Sequence, residues 1–163
     1  MAKLHTFSAL SDQYPDYLNY PKPEDVKTLI GGAVNDDWIA NTCAIRMSRT
    51  LNYNAFPIPS LFAGLHTVKG GDGKRYAFRV RELRPWLLHR FGAPDFDVAN
   101  KEGDSVDKTG LGAMKGIIAF DIHFADATGH LDLWDGSSFT HEYQTSGEYW
   151  SNATRISLWS AGG

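Results

Sequence analysis

The stretch "GHLDLWDGSSFTHEY", residues 129–143, sets two alternating runs on either side of Asp135-Gly136. Asp-Gly between strand-like runs signals a β-hairpin with a type I′ turn, because that turn needs positive φ at both central residues. With Asp135 and Gly136 as those residues, Trp134 pairs with Ser137, Asp132 with Phe139 and His130 with His141. The two imidazoles then face each other, their Cβ atoms about 4.5–5.5 Å apart. Upstream, "GIIAFDIHF" (residues 116–124) alternates Ile118, Phe120, Ile122 and Phe124 with Ala119, Asp121 and His123, and downstream "TRISLWS" (residues 154–160) reads as a last strand. The C-terminal third is therefore an antiparallel sheet.

The N-terminal part reads differently. "PEDVKTLI" has Pro23 at a first helical position, acids Glu24 and Asp25 in the first turn, and Gly31-Gly32 as a stop. "NTCAIRMSRTLNY" (residues 41–53) is a second helix with Asn41 as a candidate N-cap, and its Ala44, Met47 and Leu51 form one core-facing stripe. Gly70-Gly71-Asp72-Gly73 is a loop leading into a strand over residues 75–80, with Tyr76 and Phe78 on one face. A third helix is expected from Pro85 to the stop at Gly92. Residues 93–116 are polar and Gly-punctuated and read as a long surface loop, a class of segment that often carries function. Helices first and antiparallel strands last predict an α+β fold, and 163 residues suit one domain spanning 1–163.

Composition narrows the function. The chain is 42% hydrophobic and 21% charged with a net charge of -3, and its Lys and Arg are scattered, so nothing resembles a nucleic-acid footprint. No apolar run approaches the ~20 residues that span a bilayer, and "MAKLHTFSALSDQYPDY" lacks the apolar core of a secretory signal. The expectation is a protein made in the cytoplasm, without a membrane anchor, that leaves only by a route needing no cleaved signal.

Cys43 is the single cysteine, so neither an internal disulfide nor a Cys-based zinc site is available. It falls two residues after the candidate N-cap, where free N–H groups and the helix dipole favour thiolate. A thiolate that performs acyl transfer needs a base, and the base needs an orienting group. Cys43 on a helix, His130 on one strand and His141 on the next supply these roles, with His141 fixing the tautomer and ring orientation of His130. Two other readings stand beside this one. Asp121, His123, His130, Asp132 and His141 contain enough donors for a metal-dependent hydrolase, although no HExxH-type spacing is present. Trp38, Trp86, Trp134, Trp150 and Trp159 could stack on sugars in a non-catalytic wall-binding module, against the general rule that aromatic residues at strand positions fill cores.

The helix motif N-T-C-A-x-R-x-S and the hairpin motif G-H-x-x-L-W-D-G resemble those of the type VI secretion amidase effectors of the fourth family, within the NlpC/P60 papain-like superfamily. The resemblance is anchored over residues 38–54 and 116–143. It implies a papain-like fold, with the nucleophile at a helix N-terminus packed on a C-terminal sheet, and no cofactor. It implies an antibacterial toxin that a contractile apparatus injects into a competitor's periplasm, where it cuts the γ-D-glutamyl–meso-diaminopimelate amide of peptidoglycan stem peptides. It also implies a cognate immunity protein, dimeric and plugging the active site, for which the loops at 70–73 and 93–116 are candidate contacts. Carried onto this chain, Cys43 is the nucleophile, His130 the general base and later acid, and position 141 the orienting member. The family often has Asp at that position where His141 stands here, and some members carry a disulfide after the hairpin turn that a chain with one cysteine cannot form.

Overall fold

The stripe of Ala44, Met47 and Leu51 is where the two halves of the chain meet. In a computed structural model describing residues 1–122, 129–139 and 147–163, all three side chains are fully buried. They pack in one cluster with Ile117, Ala119, Leu131, Leu133 and Trp159 from the sheet and with Leu83, Trp86 and Leu87 from a neighbouring helix. The helices are α1 (Phe7–Gln13), α2 (Pro23–Ile30), α3 (Cys43–Asn52), α4 (Val80–Phe91) and α5 (Gly147–Asn152). The strands are β1 (Thr67–Lys69), β2 (Arg75–Ala77), β3 (Phe96–Ala99), β4 (Gly116–Ile122), β5 (Gly129–Trp134) and β6 (Ala153–Ser160). The architecture is the expected α+β arrangement, with helices ahead of a C-terminal antiparallel sheet.

The main sheet runs β3-β6-β4-β5 with every neighbour antiparallel, and β1 with β2 makes a separate hairpin. Its inner strand β4 is covered on both faces. Ile117 and Ala119 meet the helical layer, while Ile118, Phe120 and Ile122 join Leu111, Trp134, Phe139, Trp150, Ile156 and Leu158 in a second cluster. Clusters on both faces explain why the polar positions expected along this strand are so few. Towards its C-terminal edge the sheet presents β5, whose six residues are all buried.

Four sequence expectations change in detail. The strand expected over residues 75–80 stops at Ala77, and the helix expected from Pro85 begins at Val80. The Arg79 carbonyl accepts the Glu82 and Leu83 N–H groups, closing a first turn ahead of the proline. Val80, Leu83, Trp86 and Leu87 then bury one stripe, which outweighs the hydrogen bond lost because Pro85 has no N–H. Within the stretch read as a loop, β3 pairs along β6, with Asp97 accepting from Arg155 Nε at 2.9 Å and from Ser157 Oγ at 2.8 Å. An edge strand held by polar side chains carries little apolar alternation, so composition alone reads it as loop.

The fourth change concerns the hairpin register. Trp134 pairs with Phe139 rather than Ser137, and Asp132 therefore does not pair with Phe139. Only Gly136 of the two turn residues has positive φ, at 105°. Asp135 instead uses its carboxylate to accept the N–H groups of Ser137 and Ser138, at 2.9 and 2.8 Å. A side chain that caps two backbone donors makes an Asx-type turn as good as the tighter type I′ turn. The register on which the His130–His141 pairing was built is therefore not the one at Trp134, and His141 itself lies outside the described residues, as do His123 and Phe124.

Candidate active site

Two elements far apart in sequence deliver the central pair. Cys43 is the first residue of α3, and His130 is the second residue of β5. Ala44 and Met47 packing on Leu131 and Leu133 fixes the helix against the strand. Gly129 lets the strand come close: a Cβ there would sit 2.7 Å from the Phe120 carbonyl oxygen and 3.0 Å from Val80 Cγ1. Cys43 Sγ lies 3.1 Å from His130 Nδ1. The thiol-bearing residue is half-buried and reachable, whereas the imidazole is only 2% exposed.

The other ring nitrogen has a partner on the same strand. His130 Nε2 lies 3.0 Å from Asp132 Oδ2, since residues two apart on a strand share a face. The Asp132 carboxylate is fully buried and accepts two more hydrogen bonds at Oδ1, from Tyr14 Oη at 3.1 Å and the Leu133 N–H at 2.8 Å. Both imidazole nitrogens therefore face a partner, Nδ1 the Cys43 sulfur and Nε2 the Asp132 carboxylate, while His141, the orienting residue of the sequence reading, lies outside the described residues. Tyr149 stacks on the ring at 4.1 Å between centroids and 8° between planes, fixing its rotation.

Around the sulfur, the Tyr17 hydroxyl stands 3.4 Å from Cys43 Sγ. Its ring carries the Arg46 guanidinium at 4.0 Å, and Arg46 is itself buried, donating to Thr42 Oγ1 at 3.1 Å and to the Pro15 carbonyl at 2.8 Å. The approach to α3 is fastened from below by Lys27, whose ammonium donates to the carbonyls of Asp36 and Ile39 at 2.8 and 2.7 Å. The cap of α3 falls one residue past the expected Asn41, on Thr42, which makes no side-chain capping bond; Asn41 Oδ1 instead accepts the Cys43 N–H at 2.9 Å in an Asx-type contact just ahead of the helix.

The electrostatics follow from these contacts. Burial on its own pushes the Cys43 thiol up, but the His130 imidazolium and hydrogen bonds from His130 and Tyr17 outweigh it, and the thiol ends below its usual value. Burial likewise pushes His130 down, and the facing thiolate and the Asp132 bond overcome that, holding the imidazolium well above its usual range. Desolvation and the neighbouring Cys43 and Asp132 charges raise the Tyr17 phenol well above normal, so it stays a protonated donor. A thiol of lowered pKa beside an imidazole that a carboxylate orients is an arrangement capable of nucleophilic acyl transfer.

Of the donors in the metal reading, His123 and His141 lie outside the described residues. Among the described residues, no group of three or more His, Cys, Asp or Glu is placed to hold a metal ion. Trp86, Trp134, Trp150 and Trp159 are buried in the two core clusters, and Trp38 alone of the five is exposed. Sequence reasoning passed over Tyr14 and Tyr17, for which "SDQYPDY" (residues 11–17) offers no periodic signal, and gave the motif residue Arg46 no role in the site. Asp132 was detectable, because His-x-Asp on a strand places both side chains on one face.

A family model for the type VI secretion system (T6SS) amidase effector protein 4 matches residues 39–159, which include the Cys43 helix and the His130 strand. The chain belongs to this family of amidase effectors. Similar solved structures agree over nearly its whole length. The Tae4–Tai4 effector–immunity complex from Enterobacter cloacae is 32% identical, with 99% of each chain covered and a TM-score of 0.80. The effector Tae4 from Salmonella typhimurium, in complex with the immunity Tai4 from Enterobacter cloacae, is 29% identical over 96% of this chain and 99% of that one, with a TM-score of 0.79. The effector Tae4 from Enterobacter cloacae by itself is 30% identical over 99% of both, with a TM-score of 0.79. No curated protein sequence matches. As a member of this family the chain is a secreted cell-wall amidase with the NlpC/P60-type α+β fold.

Proposed function

We propose that this effector is a cysteine peptidase, one domain over residues 1–163, that hydrolyses the γ-D-glutamyl–meso-diaminopimelate amide of peptidoglycan stem peptides. The observation that carries the reading is the Cys43 Sγ–His130 Nδ1 contact of 3.1 Å, with His130 Nε2 held on Asp132. In the first step the Cys43 thiolate attacks the scissile carbonyl carbon. The developing oxyanion takes the Cys43 N–H from Asn41 Oδ1, and the Tyr17 hydroxyl turns from sulfur to oxygen as the second donor. His130 passes its Nδ1 proton to the departing diaminopimelate amine, the C–N bond breaks, and a thioester remains. A water then gives a proton to Nδ1 and its hydroxide to the thioester carbon, releasing the glutamyl carboxylate and the thiol.

Asp132 is the orienting member in this scheme, keeping the Nε2–H tautomer so that Nδ1 faces sulfur as the acceptor. His141 keeps at most an auxiliary part. The site of action is the recipient's periplasm, reached by type VI secretion. The Tae4–Tai4 complexes support a cognate immunity protein as the partner that silences the enzyme in the producing cell.

The test is mass spectrometry of purified peptidoglycan after incubation with wild type and with Cys43→Ala. Wild type should release fragments ending in γ-D-glutamate with a free carboxyl, and folded Cys43→Ala should release none. Fragments of equal yield from the alanine variant, or activity abolished by chelation but indifferent to thiol alkylation, would sink the cysteine mechanism.

A further inference from the structure

Beside the nucleophile lies a cavity of about 220 Å³ lined by Trp38, Ile39, Ala40, Asn41, Phe78 and Arg79. Its wall is continuous with the reacting centre, since Asn41, which lines it, is the residue whose amide oxygen holds the Cys43 N–H. The cavity has an apolar floor and one cationic head. Trp38 is 58% exposed and stands edge-on to Phe78, with centroids 4.9 Å apart at 87°. The Arg79 guanidinium lies 4.9 Å from the Phe78 centroid and donates from Nη1 to Glu82 Oε2 at 2.9 Å. Among the described residues, no other hydrogen bond engages that guanidinium, and its side chain is 43% exposed.

Resting on the bond assignment above, we infer that this cavity is an acid-reading subsite, in which Arg79 receives the free α-carboxylate of the γ-linked D-glutamate. A γ-linkage leaves that carboxylate about four carbon–carbon bonds from the scissile carbonyl, on the order of 5 Å. Any pose that puts the carbonyl on Cys43 Sγ therefore carries the carboxylate into the immediate surroundings, and the Asn41 wall is one such neighbour. Guanidinium geometry suits a carboxylate, which accepts two parallel N–H bonds. The glutamate methylenes between the two groups find the Trp38 and Phe78 faces. Glu82 fixes the guanidinium through Nη1 and leaves its other N–H groups for the ligand. The same geometry accounts for an exposed tryptophan at the edge of an otherwise buried aromatic set.

The subsite separates a free acid from its uncharged carboxamide. The experiment compares kcat/KM on two soluble stem peptides that differ only at this carbon, one with γ-D-glutamate and one with D-isoglutamine. Wild type should favour the acid by about tenfold, the scale of one partly exposed charge-assisted hydrogen bond. Arg79→Gln should bring the ratio close to one, chiefly through a raised KM on the acid, and Arg79→Lys should keep part of it. Glu82→Gln removes the internal competitor for Arg79 and should preserve or widen the preference, which a merely structural Arg79–Glu82 pair would not do. Equal losses on both peptides in Arg79→Gln, or a wild type that cuts both at one rate, overturn the subsite. A wild type that cuts neither overturns the bond assignment itself.

Discussion

Replacing Asp132 with Asn alters one oxygen and asks how much of the chemistry rests on the orientation of His130. The carboxylate takes three donors: His130 Nε2–H on Oδ2, and the Tyr14 hydroxyl and Leu133 N–H on Oδ1. An amide cannot accept all three. With its oxygen kept toward Leu133, its NH2 group opposes the imidazole N–H, and the ring escapes by moving its proton to Nδ1, the nitrogen that must take the thiol proton. With the amide reversed, the NH2 group opposes the Leu133 N–H instead. Because the site is fully buried, no water relieves either clash. A base held in the wrong tautomer costs roughly 10³–10⁴-fold in kcat, the scale set by the equivalent change in serine proteases. The pH profile moves too. Asp132 raises the His130 imidazolium and also raises the Cys43 thiol, so its neutralisation lowers both and shifts both limbs of the bell to lower pH. Fragment release by a folded Asp132→Asn enzyme, followed across pH, reads out both effects, and His141→Ala should show a smaller loss with no such shift. Retention of more than about a tenth of wild-type kcat in Asp132→Asn, with His141→Ala losing more, would refute the orienting role.

Tyr17→Phe removes a hydrogen bond that lowers the Cys43 thiol, so the acid limb should move to higher pH while kcat falls about 10- to 100-fold; a profile superimposable on wild type would remove Tyr17 from the chemistry. Met47→Ala truncates a fully buried side chain where helix and sheet meet and should cost about 2–5 kcal/mol, read as a lowered denaturation midpoint. Cys43 alkylation by a small haloacetamide should be fast near neutral pH and slow below the thiol's lowered value, because only the thiolate reacts; a rate still climbing with pH as an ordinary thiol's does would contradict the ion pair.

Local signals in this chain were legible where one residue type has one physical use. Pro23 opening α2, Gly31 closing it and the Ala44–Met47–Leu51 stripe all read correctly because each rests on backbone geometry or burial within a few residues, whereas the cap of α3 falls on Thr42, one residue past the expected Asn41. The β3 strand was not legible: its pairing depends on Asp97 meeting Arg155 and Ser157 across the sheet, a partnership that no local window contains. The hairpin failed for a related reason. Asp-Gly signals a turn, but whether Asp adopts positive φ or spends its carboxylate on two N–H groups decides the register, and the serines at 137 and 138 tipped it. Cys43 and His130 were visible as residue types with a plausible route to one another, whereas Tyr14 and Tyr17 enter the site only through the packing of the segment after α1 on α3, where Arg46 meets the Tyr17 ring.

The solitary thiol at the head of α3 has a consequence for how long the protein stays active. A thiolate held accessible is also the form most open to peroxide, which converts it to a sulfenic acid. Ordinarily a neighbouring cysteine condenses with that species and permits its recovery by reductants. These 163 residues contain no second cysteine to do so, and further oxidation to the sulfinic state is irreversible without a dedicated repair enzyme. Outside the reducing interior where the chain is made, oxidant exposure therefore acts as a clock on the toxin, and its working lifetime should scale inversely with the peroxide it meets.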